Sequence, residues 1–360
     1  MHSILHVIGA RPHFMKLAPL YHAIQDDPDL TQIIAHTGQH YDHVLSGAFL
    51  SEFGLGVPDV NLGVGSDRHV PQMARIMSGL DAVLADRQPD IVFVYGDTNS
   101  TAAGAITAAK NHIPLAHVEA GLREFDKRIP EEINKLLTDA VTDLYFCPTG
   151  TAVRNLASQG LHKGVHQVGD TVIDWLWKTT REQDLGMMIE RFEVEPGSYC
   201  VVTCHRASNT DHPAHLRAIW TALNQLDHPV IFPAHPRTRT VLERQGMLAE
   251  AAAHVRIIPP TGFWETQALL HHARAVLTDS GGIIKEAYFH QTPTVILDRQ
   301  TEWIEIVEEG WAVIAGPDTS AILQGMRDLN VPDTHNSVLG GGGAARQIIE
   351  ITKSYLNETP

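Results

Sequence analysis

The sequence predicts an α/β fold of two Rossmann-like, doubly wound domains with a ligand cleft between them. Its 360 residues exceed the roughly 100–200 of an ordinary domain, so two domains are expected. Short apolar, β-branched runs alternate with amphipathic segments along the whole chain, which is the rhythm of parallel strands covered by helices on both faces. A polar cluster follows nearly every run, at the edge where open α/β sheets bind ligands.

The first set of runs is Ile4–Ile8, Ile33–His36, Ile91–Tyr95, Leu115–Val118, Leu144–Cys147 and Val165–Val168. Longer amphipathic segments such as 71–87 and 131–142 separate them. The second set is Tyr199–Thr203, Val230–Phe232, Val255–Ile258, Ala275–Thr278, Thr294–Leu297 and Ala312–Ala315. The strand pattern pauses at 170–184, so the expected domains are 1–172 and 173–343. The run Gly340–Gly343 then leads into a final helical pattern, and residues 344–360 are expected to pack back across the molecule.

Composition narrows the function. A chain with 43% hydrophobic and 19% charged residues is globular rather than disordered. It holds no apolar stretch near the roughly 18–20 residues that span a membrane. Its first residues read as a strand rather than a signal peptide, so a cytoplasmic protein without a membrane partner is expected. A net charge of −15 without a basic run argues against nucleic acid. Cys147, Cys200 and Cys204 are too few for a disulfide framework, and Cys200 and Cys204 lack the second ligand pair of a zinc site; no metal is expected.

The polar clusters carry the chemistry. Asp279-Ser280-Gly281-Gly282 ends a strand and opens a helix. Glycines admit close backbone approach, and the free amides and dipole of a helix N-terminus suit a phosphate. Glu286, one turn in, is placed to accept hydrogen bonds from ribose hydroxyls. Gly9-Ala-Arg11-Pro is the matching loop in the first half; the fork of Arg11 suits a phosphate, and Lys16 follows on the next helix. The loop lacks the Gly-x-Gly-x-x-Gly fingerprint of a dinucleotide cofactor. Asp97 and Glu119 follow apolar strands directly, where a carboxylate is costly unless used or paired, and Glu131 begins a helix behind Pro130. The three are candidate acid/base groups. His205-Arg206 and His235-Pro-Arg237 bring cations from the second half, and His205 is suited to a leaving diphosphate.

Taken in order, Gly9-Ala-Arg-Pro, Thr37-Gly-Gln-His40, Gly96-Asp-Thr-Asn, His117-Val-Glu-Ala-Gly-Leu-Arg123, Pro130-Glu-Glu-Ile-Asn134, His205-Arg206, Leu277-Thr-Asp-Ser-Gly-Gly282 and Thr301-Glu302 resemble the non-hydrolysing UDP-N-acetylglucosamine 2-epimerase family over essentially the whole chain. The resemblance implies a GT-B arrangement, no cofactor, no metal and a homodimer. It also implies elimination of UDP to a 2-acetamidoglucal, then re-addition with C2 inverted. It gives acid/base roles to Asp97, Glu119 and Glu131, and a contact at the leaving diphosphate to His205. Substrate contacts fall to Arg11, Lys16, Arg206, Ser280, Gly281, Gly282 and Glu286. Gln39, His40, Arg206 and His235 match residues that bind a second, activating UDP-sugar in some members. Two departures stand out: Ser208 replaces an acid, and Asp298-Arg299 stands where the family has Arg-Asp. Tyr95-Gly-Asp-Thr-Asn-Ser-Thr and Lys285-Glu-Ala-Tyr-Phe look like the branch acting on UDP-2,3-diacetamido-2,3-dideoxyglucuronate, which leaves the sugar open. A GT-B glycosyltransferase is the alternative from another class; it needs an acceptor groove and has no use for three carboxylates.

Overall fold

Ile91-Val-Phe-Val-Tyr95 is buried at every position, although side chains alternate between the faces of a strand. Only a sheet covered on both sides permits that. The computed structural model describes residues 1–39 and 50–358; His40 lies outside them. Among the described residues the strands form two all-parallel sheets. The first contains β1 (His2–Ile8), β2 (Leu30–His36), β3 (Val60–Asn61), β4 (Ile91–Tyr95), β5 (Leu115–Val118), β6 (Leu144–Cys147) and β7 (Val165–Gln167) in the order β3-β2-β1-β4-β5-β6-β7. The second contains β8 (Cys200–Thr203), β9 (Val230–Pro233), β10 (Val255–Ile258), β11 (Ala275–Thr278), β12 (Thr294–Ile296) and β13 (Ala312–Ile314) in the order β10-β9-β8-β11-β12-β13. The sequence pattern passes over β3, because two residues, one of them Asn, carry no periodicity.

The second sheet shows how residue alternation builds a doubly wound domain. Cys200, Val202, Val230, Phe232, Ala275 and Leu277 enter one core cluster. Their strand neighbours Val201, Ile231 and Val276 enter another. Each strand therefore feeds two cores, one per face, and helices close both.

The chain divides into two compact units, Met1–Lys178 with Leu339–Pro360, and Thr179–Val338. The first keeps the helix Thr171–Thr179 up to Lys178 because that segment holds the returning end of the chain. The Asp170 amide donates to the Leu339 carbonyl at 2.8 Å. Asp174 accepts from the Gly343 amide, and from the Ala345 amide at 2.8 Å, capping the helix Ala344–Glu358 from outside it. That helix lies against the first helix of the chain, Arg11–Gln25, and its Lys353 ion-pairs with Asp27 and Asp29 beyond that helix's end.

In each sheet the strand order reverses once, between β1 and β4 and between β8 and β11. Ligands of open α/β sheets bind at such switch points, beyond the carboxyl ends of the strands. The loops there begin at Gly9 and Gly96 in the first unit, and at Cys204 and Asp279 in the second. Replacing Asp174 by alanine strips the borrowed cap. Urea unfolding of Asp174→Ala is expected to show a loss of about 0.5–2 kcal/mol; unchanged stability would show that the C-terminal helix needs no such anchor.

Candidate active site

At the first switch point the loops are packed atom to atom. A Cβ on Gly9 would stand 2.1 Å from Thr37 Oγ1 and 2.4 Å from Ser100 Oγ, so only glycine fits. Arg11 follows as the first residue of its helix and is exposed. His13 is fully buried; its Nδ1 accepts the Gly9 amide at 3.1 Å and its Nε2 lies 3.2 Å from Thr98 Oγ1, joining the two loops. Lys16, buried on the same helix, ion-pairs with Glu119 Oε1 at the end of β5. Gly96 lies between: its φ is +59°, and an added Cβ would come within 2.5 Å of Lys16 Nζ and 3.6 Å of Glu119 Oε1.

Glu119 itself has φ +69°, in the left-handed region that a non-glycine residue enters at a cost of order 1–3 kcal/mol. Its amide and that of Ala120 both donate to the Phe146 carbonyl on β6, at 3.0 and 3.1 Å, which holds the turn. Backbone strain maintained in this way is a mark of functional sites.

The helix Pro130–Asp139 supplies the rest, and it lies inside out. Glu132, Asn134, Lys135, Thr138 and Asp139 are buried, while Ile133 and Leu137 are 43% and 41% exposed. Lys135 Nζ lies 3.5 Å from Asp97 Oδ2 and 3.5 Å from Glu124 Oε2. Asn134 Nδ2 donates to the Asp97 carbonyl at 2.9 Å, and Glu132 accepts from the Glu124 amide at 2.8 Å. Glu131, exposed, begins the helix one turn before Lys135.

Asp139 closes the network. Arg123 donates to its Oδ2 at 2.7 Å, the Gly121 amide reaches the same oxygen at 3.3 Å, and His117 Nδ1 faces Oδ1 at 2.7 Å. His117 Nε2 meets the Gly96 carbonyl at 2.8 Å. Burial alone would push the Asp139 carboxyl up, but the charges and hydrogen bonds of His117 and Arg123 outweigh it and hold it below the usual carboxylate range.

In the second unit one buried carboxylate shapes the site. Asp279 accepts from the amides of His205 and Arg206, each at 3.0 Å, and from Asn209 Nδ2 at 3.0 Å. The loop after β8 is thereby tied to the end of β11. His205 presents a half-exposed ring, with Nδ1 3.6 Å from Asp279 Oδ1. Ser280 caps the helix Gly281–Phe289. A Cβ on Gly281 would meet Trp303 Nε1 at 3.1 Å and Glu302 Oε1 at 3.2 Å, so this glycine answers to packing of Trp303 as well as to any ligand. Asp298, one of the departures from the family pattern, pairs with Arg206 at 3.3 Å.

A family model described as UDP-N-acetylglucosamine 2-epimerase matches residues 22–353. The chain belongs to the UDP-N-acetylglucosamine 2-epimerase family. It is 38% identical over 357 residues to a UDP-N-acetylglucosamine 2-epimerase homolog of Methanococcus maripaludis, covering 98% of this chain and 99% of that one. It is 39% identical over 362 residues to the UDP-2,3-diacetamido-2,3-dideoxy-D-glucuronate 2-epimerase of Pseudomonas aeruginosa, covering 97% of this chain and 98% of that one. Its fold is similar to that of the Methanocaldococcus jannaschii UDP-GlcNAc 2-epimerase solved with UDP-GlcNAc and UDP, with a TM-score of 0.90 and 32% identity over 98% of this chain and 99% of that one.

The residues singled out from the sequence of this epimerase-family chain fall into two groups, one in each unit. Arg11, Lys16, Asp97, Glu119 and Glu131 belong to the first, where the structure joins Lys16 to Glu119 and Lys135 to Asp97. His205, Arg206, Ser280, Gly281, Gly282 and Glu286 belong to the second. Gln39 is engaged within the first unit: its Oε1 accepts from the Ser100 amide at 3.0 Å and from Ser100 Oγ at 2.6 Å. His235 is exposed and caps the helix Pro236–Arg244 through its Nδ1. Lys135 and Asp139 escape sequence reading, and Asp279 enters it only as the first residue of the Asp-Ser-Gly-Gly loop, with no role given. Lys135 and Asp139 share the i, i+4 spacing that starts at Glu131.

A carboxyl with a depressed folded-state pKa contributes stability above its unfolded pKa of about 3.9 and loses it as pH falls below that value. Asp139→Asn is therefore expected to unfold with about 3–5 kcal/mol less free energy near neutral pH, and the gap to the parent should narrow below about pH 4. Urea titrations across that range measure it. A gap independent of pH would take Asp139 out of the ion network.

Proposed function

We propose that the chain is a non-hydrolysing 2-epimerase that interconverts UDP-GlcNAc and UDP-ManNAc. The observation that carries the reading is a pair of carboxylates at adjacent strand ends, each held by its own buried lysine: Glu119 by Lys16 and Asp97 by Lys135. Acid/base chemistry at C2 needs carboxyl groups fixed in place, with cations near enough to stabilise negative charge as it develops. Asp97, Glu119 and Glu131 take the acid/base roles. The C2 proton leaves to a carboxylate, the C1–O bond to UDP breaks, and a C1=C2 double bond forms in a 2-acetamidoglucal. UDP then adds back to C1 and a proton returns to the other face of C2, so the sequence needs no outside oxidant. His205 and Arg206 serve the diphosphate, Ser280, Gly281 and Gly282 the phosphate oxygens, Glu286 the ribose, and Arg11 a further phosphate contact.

A second reading of the sugar has its own support. The relative acting on the diacetamido-glucuronate is 39% identical to this chain, level with the 38% of the UDP-N-acetylglucosamine 2-epimerase homolog. Both UDP-sugars therefore belong in the assay. The proposal includes a cytoplasmic homodimer: three free, buried cysteines suit a reducing compartment, and the dimer follows the family resemblance. It also includes an activating second UDP-sugar, assigned to Gln39, Arg206 and His235 on the family resemblance. Among the described residues no helix is long and apolar enough to cross a membrane.

In deuterated water, product and recovered substrate should both gain deuterium at C2, with UDP-sugar remaining the main species. A glycosyltransferase would leave C2 unlabelled, and a hydrolysing enzyme would accumulate free sugar. Asp97→Asn, Glu119→Gln and Glu131→Gln should each cut turnover by roughly 10²–10⁴-fold while UDP binding survives. Parent rates in all three would sink the mechanism.

A further inference from the structure

We infer that Gln267 is a positioning residue for nucleotide recognition, its side-chain amide fixing the Glu286 carboxylate that takes the ribose of UDP. The inference rests on the ribose reading of Glu286 given above. Gln267 is fully buried on the helix Phe263–His272. Its Nε2 donates to Glu286 Oε2 at 2.6 Å, and its Oε1 lies 2.9 Å from His290 Nε2.

Chemistry dictates the direction of this chain. An ionised carboxylate only accepts, so Gln267 turns its NH₂ toward Glu286. Its carbonyl oxygen then faces His290 and requires a hydrogen on Nε2. Burial, with His271 and His272 alongside, pushes the His290 pKa down to about 3, so the ring is neutral and carries one N–H. Gln267 selects the tautomer that places this hydrogen on Nε2. The donors thus run from His290 to Gln267 to Glu286. Glu286 Oε1 stands 3.7 Å from where a Cβ on Gly282 would be, so it is turned toward the first turn of the helix Gly281–Phe289. Oε2 takes the Gln267 amide, and Oε1 lies beside the turn assigned to phosphate. Removing the amide removes this constraint on carboxylate rotation.

The test is calorimetry on the full chain with UDP, 2′,3′-dideoxy-UDP and inorganic pyrophosphate, for the parent, Gln267→Met and Glu286→Ala. Methionine keeps the length and bulk of glutamine and removes both hydrogen-bonding ends. The parent should prefer UDP over the dideoxy nucleotide by about 10–100-fold, the span of a hydrogen bond to a charged group. Gln267→Met should narrow the preference to within about threefold, as should Glu286→Ala, with pyrophosphate affinity unchanged in both. A Gln267→Met protein that keeps the parent preference while Glu286→Ala loses it overturns the positioning role and leaves the ribose reading standing. If Glu286→Ala also keeps the preference, the ribose reading fails and the inference goes with it. Pyrophosphate binding reports whether the site is folded. Should Gln267→Met lose it, His290→Phe carries the same test by removing the N–H that orients the amide: a narrowed preference supports the inference, and an unchanged one overturns it.

Discussion

Asp139 has almost no contact with solvent, and neither do the Arg123 and His117 side chains that meet it. Taking such charges out of water costs several kcal/mol per ion, and only close, well-aligned partners offset the cost. The cluster therefore tolerates little displacement. Through His117 it fixes the Gly96 carbonyl, through Oδ2 the Gly121 amide, and through its own helix the positions of Lys135 and Asn134. Asp97 and Glu119 each sit one or two residues from a segment held in this way. The placement of the candidate catalytic groups derives from a buried ion cluster that has almost no contact with solvent.

The second unit meets the same problem with fewer charges. Asp279 gathers backbone amides and one side-chain amide around a single carboxylate, which sets the loop that carries His205 and Arg206. In both units, then, the polar residues nearest the strand ends split into two kinds. Some are fully buried and define the shape of the loop; others, such as His205, Arg11 and Glu131, are exposed to solvent. Replacement of the first kind should be felt in folding as well as in turnover, and replacement of the second mainly in turnover.

The strands and their order of appearance were open to reading because a parallel strand writes its burial directly as consecutive apolar residues. Ile91–Tyr95, Leu115–Val118, Leu144–Cys147, Val255–Ile258 and Ala275–Thr278 stand in the structure where the pattern sets them. Glycine in a polar loop after a strand was equally open, since a position with φ near +60° or a neighbour within 3 Å disfavours other side chains locally. Gly9 and Gly96 therefore announce themselves, along with the carboxylates that directly follow apolar strands.

The helix Pro130–Asp139 marks where that local reading ends. Its sequence offers two stripes, Ile133 and Leu137 on one side and Glu132, Lys135 and Asp139 on the other, and a rule of apolar-in would bury the wrong one. What turns the charged stripe inward is the set of partners waiting for it: Asp97 and Glu124 for Lys135, His117 and Arg123 for Asp139. Gln267 likewise looks like any interior helix residue until Glu286 and His290 are brought beside it. The sequence by itself determined the parallel sheets, the polar loops at their carboxyl ends and the residue types able to do the chemistry, because strand periodicity and backbone sterics act between near neighbours. Only the tertiary structure decided which charges are buried and which face outward, because the free energy of a buried charge depends on partners 11 to 38 residues away in the chain for Asp139 and Lys135 alike.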